Sequence, residues 1–130
     1  MSLPILRVAR ACADLERIAT QYREGLGLAE LGRFIDHEGF DGVILGEPQG
    51  PWHLEFVHVR HDAPPPPPHP EQALVLYLPE RQIWLDRVAA MERAGFLHVP
   101  SANPYWDRAG RSYVDCEGGR VIVQQATWPA

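Results

Sequence analysis

The sequence predicts an α+β fold in which one strand–helix–strands module occurs twice. Two segments, around Leu15 to Tyr22 and Trp84 to Met91, place apolar residues at helical spacing. Each is preceded by one short apolar run and followed by several more, and a run of prolines separates the two sets.

Ile5 to Ala11 reads as a strand, after which Asp14 is a suitable N-cap for a helix whose inner face is Leu15, Ile18, Ala19 and Tyr22. Gly25 and Gly27 end that helix. Asp36, His37 and Glu38 close one strand and open a loop. Phe40 to Leu45 and Trp52 to Val59 read as strands joined by the turn-forming Gly46-Glu47-Pro48-Gln49-Gly50-Pro51. The run Asp62-Ala63-Pro64-Pro65-Pro66-Pro67-Pro68-His69-Pro70 favours polyproline II, a stiff spacer rising about 3.1 Å per residue. A spacer is favoured over a proline-rich ligand for a partner domain.

Beyond it the order returns. Ala73 to Leu78 is a strand, and a helix runs from about Glu80 to Ala94 with Trp84, Leu85, Val88 and Met91 on one face, closed by Gly95. Strands follow at Phe96 to Pro100, Arg111 to Asp115 and Arg120 to Gln125, the last two joined by Cys116-Glu117-Gly118-Gly119. Sliding one half on the other by about 66 to 68 positions superposes Asp14 on Glu80 and Glu55 on Ile122, the mark of an internal repeat. The expected organisation is one domain over residues 1–130, with module one at about 4–61, a linker at 62–70 and module two at about 71–127.

Composition narrows the function classes. Apolar residues are 45% and charged residues 22%, as in globular proteins, so the chain is expected to fold. A net charge of −5 without a basic run argues against nucleic acid or an anionic membrane as partner. No apolar stretch approaches a bilayer span and the N-terminus lacks a signal-type core, so a cytoplasmic location is expected. Cys12 and Cys116 are too few for a disulfide framework. All 12 basic residues are Arg, which excludes lysine nucleophiles and Schiff bases.

The segments LRVARACADLERIATQYREGLGL and GRSYVDCEGGRVIVQQ resemble the two hallmark segments of the vicinal oxygen chelate (VOC) superfamily, which includes glyoxalase I, bleomycin-resistance proteins and extradiol dioxygenases. In the second, Cys116 and Glu117 stand where the family's turn has Pro and Asp. The resemblance implies two βαβββ modules whose curved mixed sheets enclose a cleft, with pairing within one chain or in a homodimer, and a dimer is expected here. It implies fold more than function, because the fold hosts lyases, dioxygenases, epimerases and binding proteins.

Metal-using members hold the ion with one residue on the first and one on the last strand of each module. The resemblance carries these positions to Arg7, Glu55, Ala73 or Leu74, and Ile122. Only Glu55 has a donor atom for a cation, so no metal and no other cofactor is expected, with a divalent ion as the weaker alternative. Arg7 is expected to pair bidentately with Glu55 in the ion's place. Arg10 falls on the helix-facing side of its strand, which requires a bulge or an acidic partner.

The acidic stretch Asp36-His37-Glu38-Gly39-Phe40-Asp41-Gly42 is favoured as a solvated hairpin over a ligand-contacting or proton-moving loop around His37. Its glycines rule out the helical zinc-protease signature, and Gly25-Leu26-Gly27 ends a helix where a dinucleotide motif would open one. His58, His61, His69 and His98 read as surface or strand-edge residues. Asn103-Pro104-Tyr105-Trp106 sets two aromatics in a connection, so Tyr105 and Trp106, with Trp52, Tyr77, Arg7, His53 and Glu55, are the candidate ligand-binding residues. The expected function is binding of a small organic molecule with a degenerate metal site. The rival is an enzyme, either a metal-free isomerase with Glu55 or His53 as base, or a lyase or oxygenase with relocated ligands at His37, His53 and Glu55.

Overall fold

A computed structural model of the chain describes residues 3–129. It divides into two compact units, the first ending at Pro66 and the second beginning at Pro67. The first contains β1 (Leu6–Ala11), α1 (Leu15–Leu26), β2 (Ala29–His37), β3 (Phe40–Gly46) and β4 (Trp52–Val59). The second contains β5 (Ala73–Tyr77), α2 (Arg81–Arg93), β6 (Leu97–Val99), a 3-10 turn (Pro104–Asp107), β7 (Gly110–Val114) and β8 (Arg120–Gln124). Each unit is thus a βαβββ module with one four-stranded mixed sheet, ordered β1-β4-β3-β2 and β5-β8-β7-β6.

In the first unit the Asp14 side chain accepts from the Arg17 N–H and starts α1 as an N-cap should. Gly25 lies inside the last helical turn, and the chain reverses one step later, at Gly27, where φ is 68°. That left-handed cap suits a residue without Cβ. Ile18, Ala19 and Tyr22 are buried on one face of α1, against Val43, Leu45, Leu54 and Phe56, which alternation puts on one side of β3 and β4.

Arg10 pairs with Phe56 in an unbroken β1–β4 register, so no bulge turns it away from the helix side. Its guanidinium lies 5.7 Å from the Phe56 ring centroid and its Nη1 donates to the Tyr22 hydroxyl at 3.4 Å. A cation over an aromatic face, with its long stem packed, allows arginine at an apolar position.

The acidic stretch is a tight hairpin, not an open loop. His37 pairs with Phe40 across Glu38 and Gly39, both at positive φ, and a bulge falls between Phe34 and His37. Arg60 donates to both Asp41 carboxylate oxygens at 2.9 Å and lies 3.4 Å from Asp36. The Arg60 hydrogen bonds, helped by the Asp36 N–H, hold the Asp41 carboxyl below the usual carboxylate range.

In the second unit, Trp84, Val88 and Met91 of α2 are buried with Tyr113, Val121 and Val123, while Leu85, expected on the same face, is exposed. The Trp84 indole N–H donates to the Val123 carbonyl at 3.0 Å, satisfying its one polar atom. Neither cysteine forms a disulfide. Among the described residues no helix is long and apolar enough to cross a membrane.

Candidate functional site

Each sheet has one face against its helix and one face turned away. In the first unit the register assigns Arg7 and Ala9 of β1, His53, Glu55 and Val57 of β4, Gly42, Ile44 and Gly46 of β3, and Gly32 and Phe34 of β2 to the face away from α1. Arg7, His53 and Glu55 therefore share a face. Arg7 Nη1 lies 4.0 Å from Glu55 Oε1, with Arg7 44% and Glu55 17% exposed. This is a single contact at the outer limit of an ion pair, and the expected bidentate fork is not formed. Parallel strands bring Arg7 opposite His53, so Glu55 is its diagonal neighbour, and two residues so offset meet only by reaching along the strands.

Trp52 is the neighbour of His53 and so points to the α1 side, paired with Leu6. It cannot join His53 and Glu55 on their face, a correction that follows from the period of two. Phe34 and Ile44 occupy the face instead. The Phe34 ring covers Gly42 so closely that a Cβ there would fall within the ring. The signal was available in the sequence: Gly42 and Gly46 lie two periods apart on the same strand face, and strand glycines often mark close approach. His37 stands on the same face at its hairpin end, exposed, its ring 6.5 Å from that of Phe34 in an edge-on arrangement.

The second unit repeats this layout with other chemistry. Ala73 lies opposite Arg120 as Arg7 lies opposite His53, and Val75 opposite Ile122 as Ala9 lies opposite Glu55. This symmetry assigns the third family position to Ala73, on the face with Ile122, and Leu74 to the α2 side. Ile122 is only 2% exposed. Beside it, buried Ser112 and Gln124 form polar contacts that sequence reasoning missed. Ser112 Oγ and Ser101 Oγ are 2.6 Å apart, Ser101 donates to Asp107 Oδ1 at 2.7 Å, and Gln124 Nε2 donates to the Trp106 carbonyl at 3.0 Å. These bonds tie the 3-10 turn to the sheet.

That turn carries Tyr105 and Trp106. Asn103 caps it by accepting from the Tyr105 N–H, and the two rings meet edge to face with centroids 5.1 Å apart. Tyr105 is exposed with Arg108 5.7 Å from its ring, and Trp106 is half-buried. Tyr77 shares the sheet face with Ile122 and has Trp128 at 6.2 Å. Among the described residues, no three His, Cys, Asp or Glu side chains gather in a way that could hold a metal ion.

Comparison with known proteins agrees with this architecture. Residues 6–57 match the model of the YycE-like N-terminal domain, and residues 71–125 that of the YycE-like C-terminal domain. The chain is 36% identical over 121 residues to the YycE protein of Bacillus subtilis (strain 168), covering 93% of this chain and 87% of that one. The crystal structure of the Bacillus subtilis YycE protein superposes with a TM-score of 0.85 at 35% identity over 93% of this chain and 88% of that one. The fosfomycin resistance protein FosX of Mesorhizobium loti superposes with a TM-score of 0.72 at 9% identity over 99% and 96% of the two chains. TnmS3, an antibiotic-binding protein of Streptomyces sp. CB03234, does so with a TM-score of 0.64 at 18% identity over 98% of each. The chain belongs to the YycE-like family, and its fold is that of the glyoxalase/bleomycin-resistance/dioxygenase, or vicinal oxygen chelate, proteins.

Proposed function

We propose that the chain binds a small organic molecule on the sheet faces turned away from the helices, without the metal centre of the superfamily's metalloenzymes. The observation that carries this reading is the content of the four family positions: Arg7, Glu55, Ala73 and the buried Ile122. Neither the carboxylate beside a permanent cation in the first unit nor the two hydrocarbon side chains in the second fit a divalent ion. The face of the first unit offers a ligand a half-exposed guanidinium, the His53 imidazole, the Glu55 carboxylate and the apolar surface of Phe34 and Ile44, a mixture that holds an apolar body and orients one polar group. The second unit, taken by itself, offers the aromatic side chains of Tyr77, Tyr105 and Trp106. The antibiotic-binding TnmS3 and the fosfomycin resistance protein FosX share the fold, and sequestering a drug or metabolite is the use we favour.

The experiment is elemental analysis of protein purified from unsupplemented medium, joined to a ligand screen read by tryptophan fluorescence. The expected result is less than stoichiometric zinc, nickel, iron or manganese and at least one ligand whose affinity falls in Arg7→Gln or Trp106→Ala. Stoichiometric metal would overturn the reading and favour an enzyme with relocated ligands at His37, His53 and Glu55. A second reading, a metal-free isomerase with Glu55 or His53 as base, rests on their common sheet face. Turnover of a bound ligand, abolished by Glu55→Gln, distinguishes it. We also propose a cytoplasmic homodimer, supported by the exposed apolar side chains of Leu6 and Val8 on edge strand β1. Light scattering at micromolar concentration tests the dimer.

A further inference from the structure

In the second unit, on the side of the sheet that carries α2, three arginines line an open hollow of about 530 Å³. Arg81 comes from the first turn of α2, Arg108 from the connection into β7, and Arg111 from β7 itself, with Trp84 and Leu85 as apolar floor. No acidic residue lines it. Three of the chain's 12 basic residues meet here in a protein of net charge −5. Arg111 is the one with an acidic neighbour, Glu92 at 3.4 Å, and its guanidinium lies 5.8 Å from the Trp84 ring. Arg81 bonds a neutral group, Gln125 Oε1 at 3.3 Å, and Arg108 lies over Tyr105.

Among the described residues Arg81 and Arg108 have no carboxylate partner and Arg111 is only partly matched, so the hollow carries positive charge that a bound anion would neutralise. The planar fork of arginine suits oxyanions, to which it donates two parallel hydrogen bonds. The hollow exceeds the size of a simple ion, and its Trp84 and Leu85 floor suits an organic body. We propose that it binds a phosphate group, carried on an organic ester or present as the free ion. The site is separate from the sheet faces discussed above, because alternation turns Arg111 to the α2 side and its neighbour Ser112 to the other.

Calorimetric titration of the full chain with inorganic phosphate and with phenyl phosphate, at constant ionic strength, tests the proposal. The expected result is saturable binding that weakens at least about tenfold in Arg81→Gln and in Arg108→Gln and is unchanged in Arg17→Gln on α1. Tighter binding of phenyl phosphate identifies an ester as the ligand, and equal binding identifies the free ion. Circular dichroism melts check that the two surface variants remain folded. Absence of saturable heat for either probe, or unchanged affinity in both pocket variants, overturns the proposal.

Discussion

The two modules share a frame and differ at its surface. In both, the first strand runs parallel to the last, and the helix covers alternate residues of the central strands. Yet where the first module presents Arg7, His53 and Glu55, the second presents Ala73, Arg120 and Ile122. The helix side is constrained because Val43, Leu45, Val121 and Val123 must each exclude water, and their exposure is zero. The other face carries no such uniform demand, so its chemistry diverges while the backbone plan persists.

Exchanging equivalent residues is the most severe test of that contrast. Ile122→Glu would force a carboxyl group into a site 2% exposed, at an expected cost of about 3–5 kcal/mol, whereas Glu55→Ile should change stability by under about 1 kcal/mol. Urea unfolding of both variants measures the asymmetry. Equal costs would mean that the two faces are alike in solution and that the difference in burial has no energetic weight.

Tyr113 supplies a test confined to the second module. Its ring is buried, its hydroxyl donates to Glu92 at 2.7 Å, and its pKa is pushed up to about 12 by burial first and by that hydrogen bond next. The folded state therefore keeps a proton that the unfolded chain releases near the ordinary value of about 10. The contribution is fully present below pH about 10 and is lost as pH rises toward about 12, by at most roughly 3 kcal/mol in all. Stability of Tyr113→Phe should lack this part of the alkaline slope. An unchanged slope would transfer the effect to other groups.

The helix starts differ in a smaller way. Asp14 bonds the Arg17 N–H, but Glu80, at the same place in the repeat, makes no capping hydrogen bond through its side chain. Asp14→Ala should cost about 1 kcal/mol and Glu80→Ala nearly nothing, since a short side chain reaches back to the first turn and glutamate is a poorer cap. Thermal unfolding of the pair decides it.

How much of this the sequence disclosed follows the same division. Helical periodicity at Ile18, Ala19 and Tyr22 and at Trp84, Val88 and Met91 located both helices, because burial of one stripe leaves a mark in the order of residues. The shared face of His53 and Glu55 was likewise legible from a period of two. The Ser101–Ser112–Asp107 contacts were not, because they join residues on separate elements with no fixed spacing. The bidentate Arg7–Glu55 fork failed for a related reason: sequence assigns a face, but the diagonal offset depends on strand register.

That ion pair offers the smallest effect and the finest discrimination. A pair fully withdrawn from water would cost on the order of 3 kcal/mol when Glu55 alone is removed, by leaving an arginine stranded. At 4.0 Å, with Arg7 44% exposed, water screens the attraction and can solvate either partner after the other is lost. A double-mutant cycle with Arg7→Gln and Glu55→Gln should therefore give a coupling of about 0.5 kcal/mol, and 1 M salt should abolish most of it, since the screening length is then only about 3 Å. If the coupling instead reaches about 3 kcal/mol and survives salt, the pair is desolvated in solution. This face of the first module would then be covered there, and its resemblance to the closed face around Ile122 would be greater than the 44% exposure of Arg7 implies.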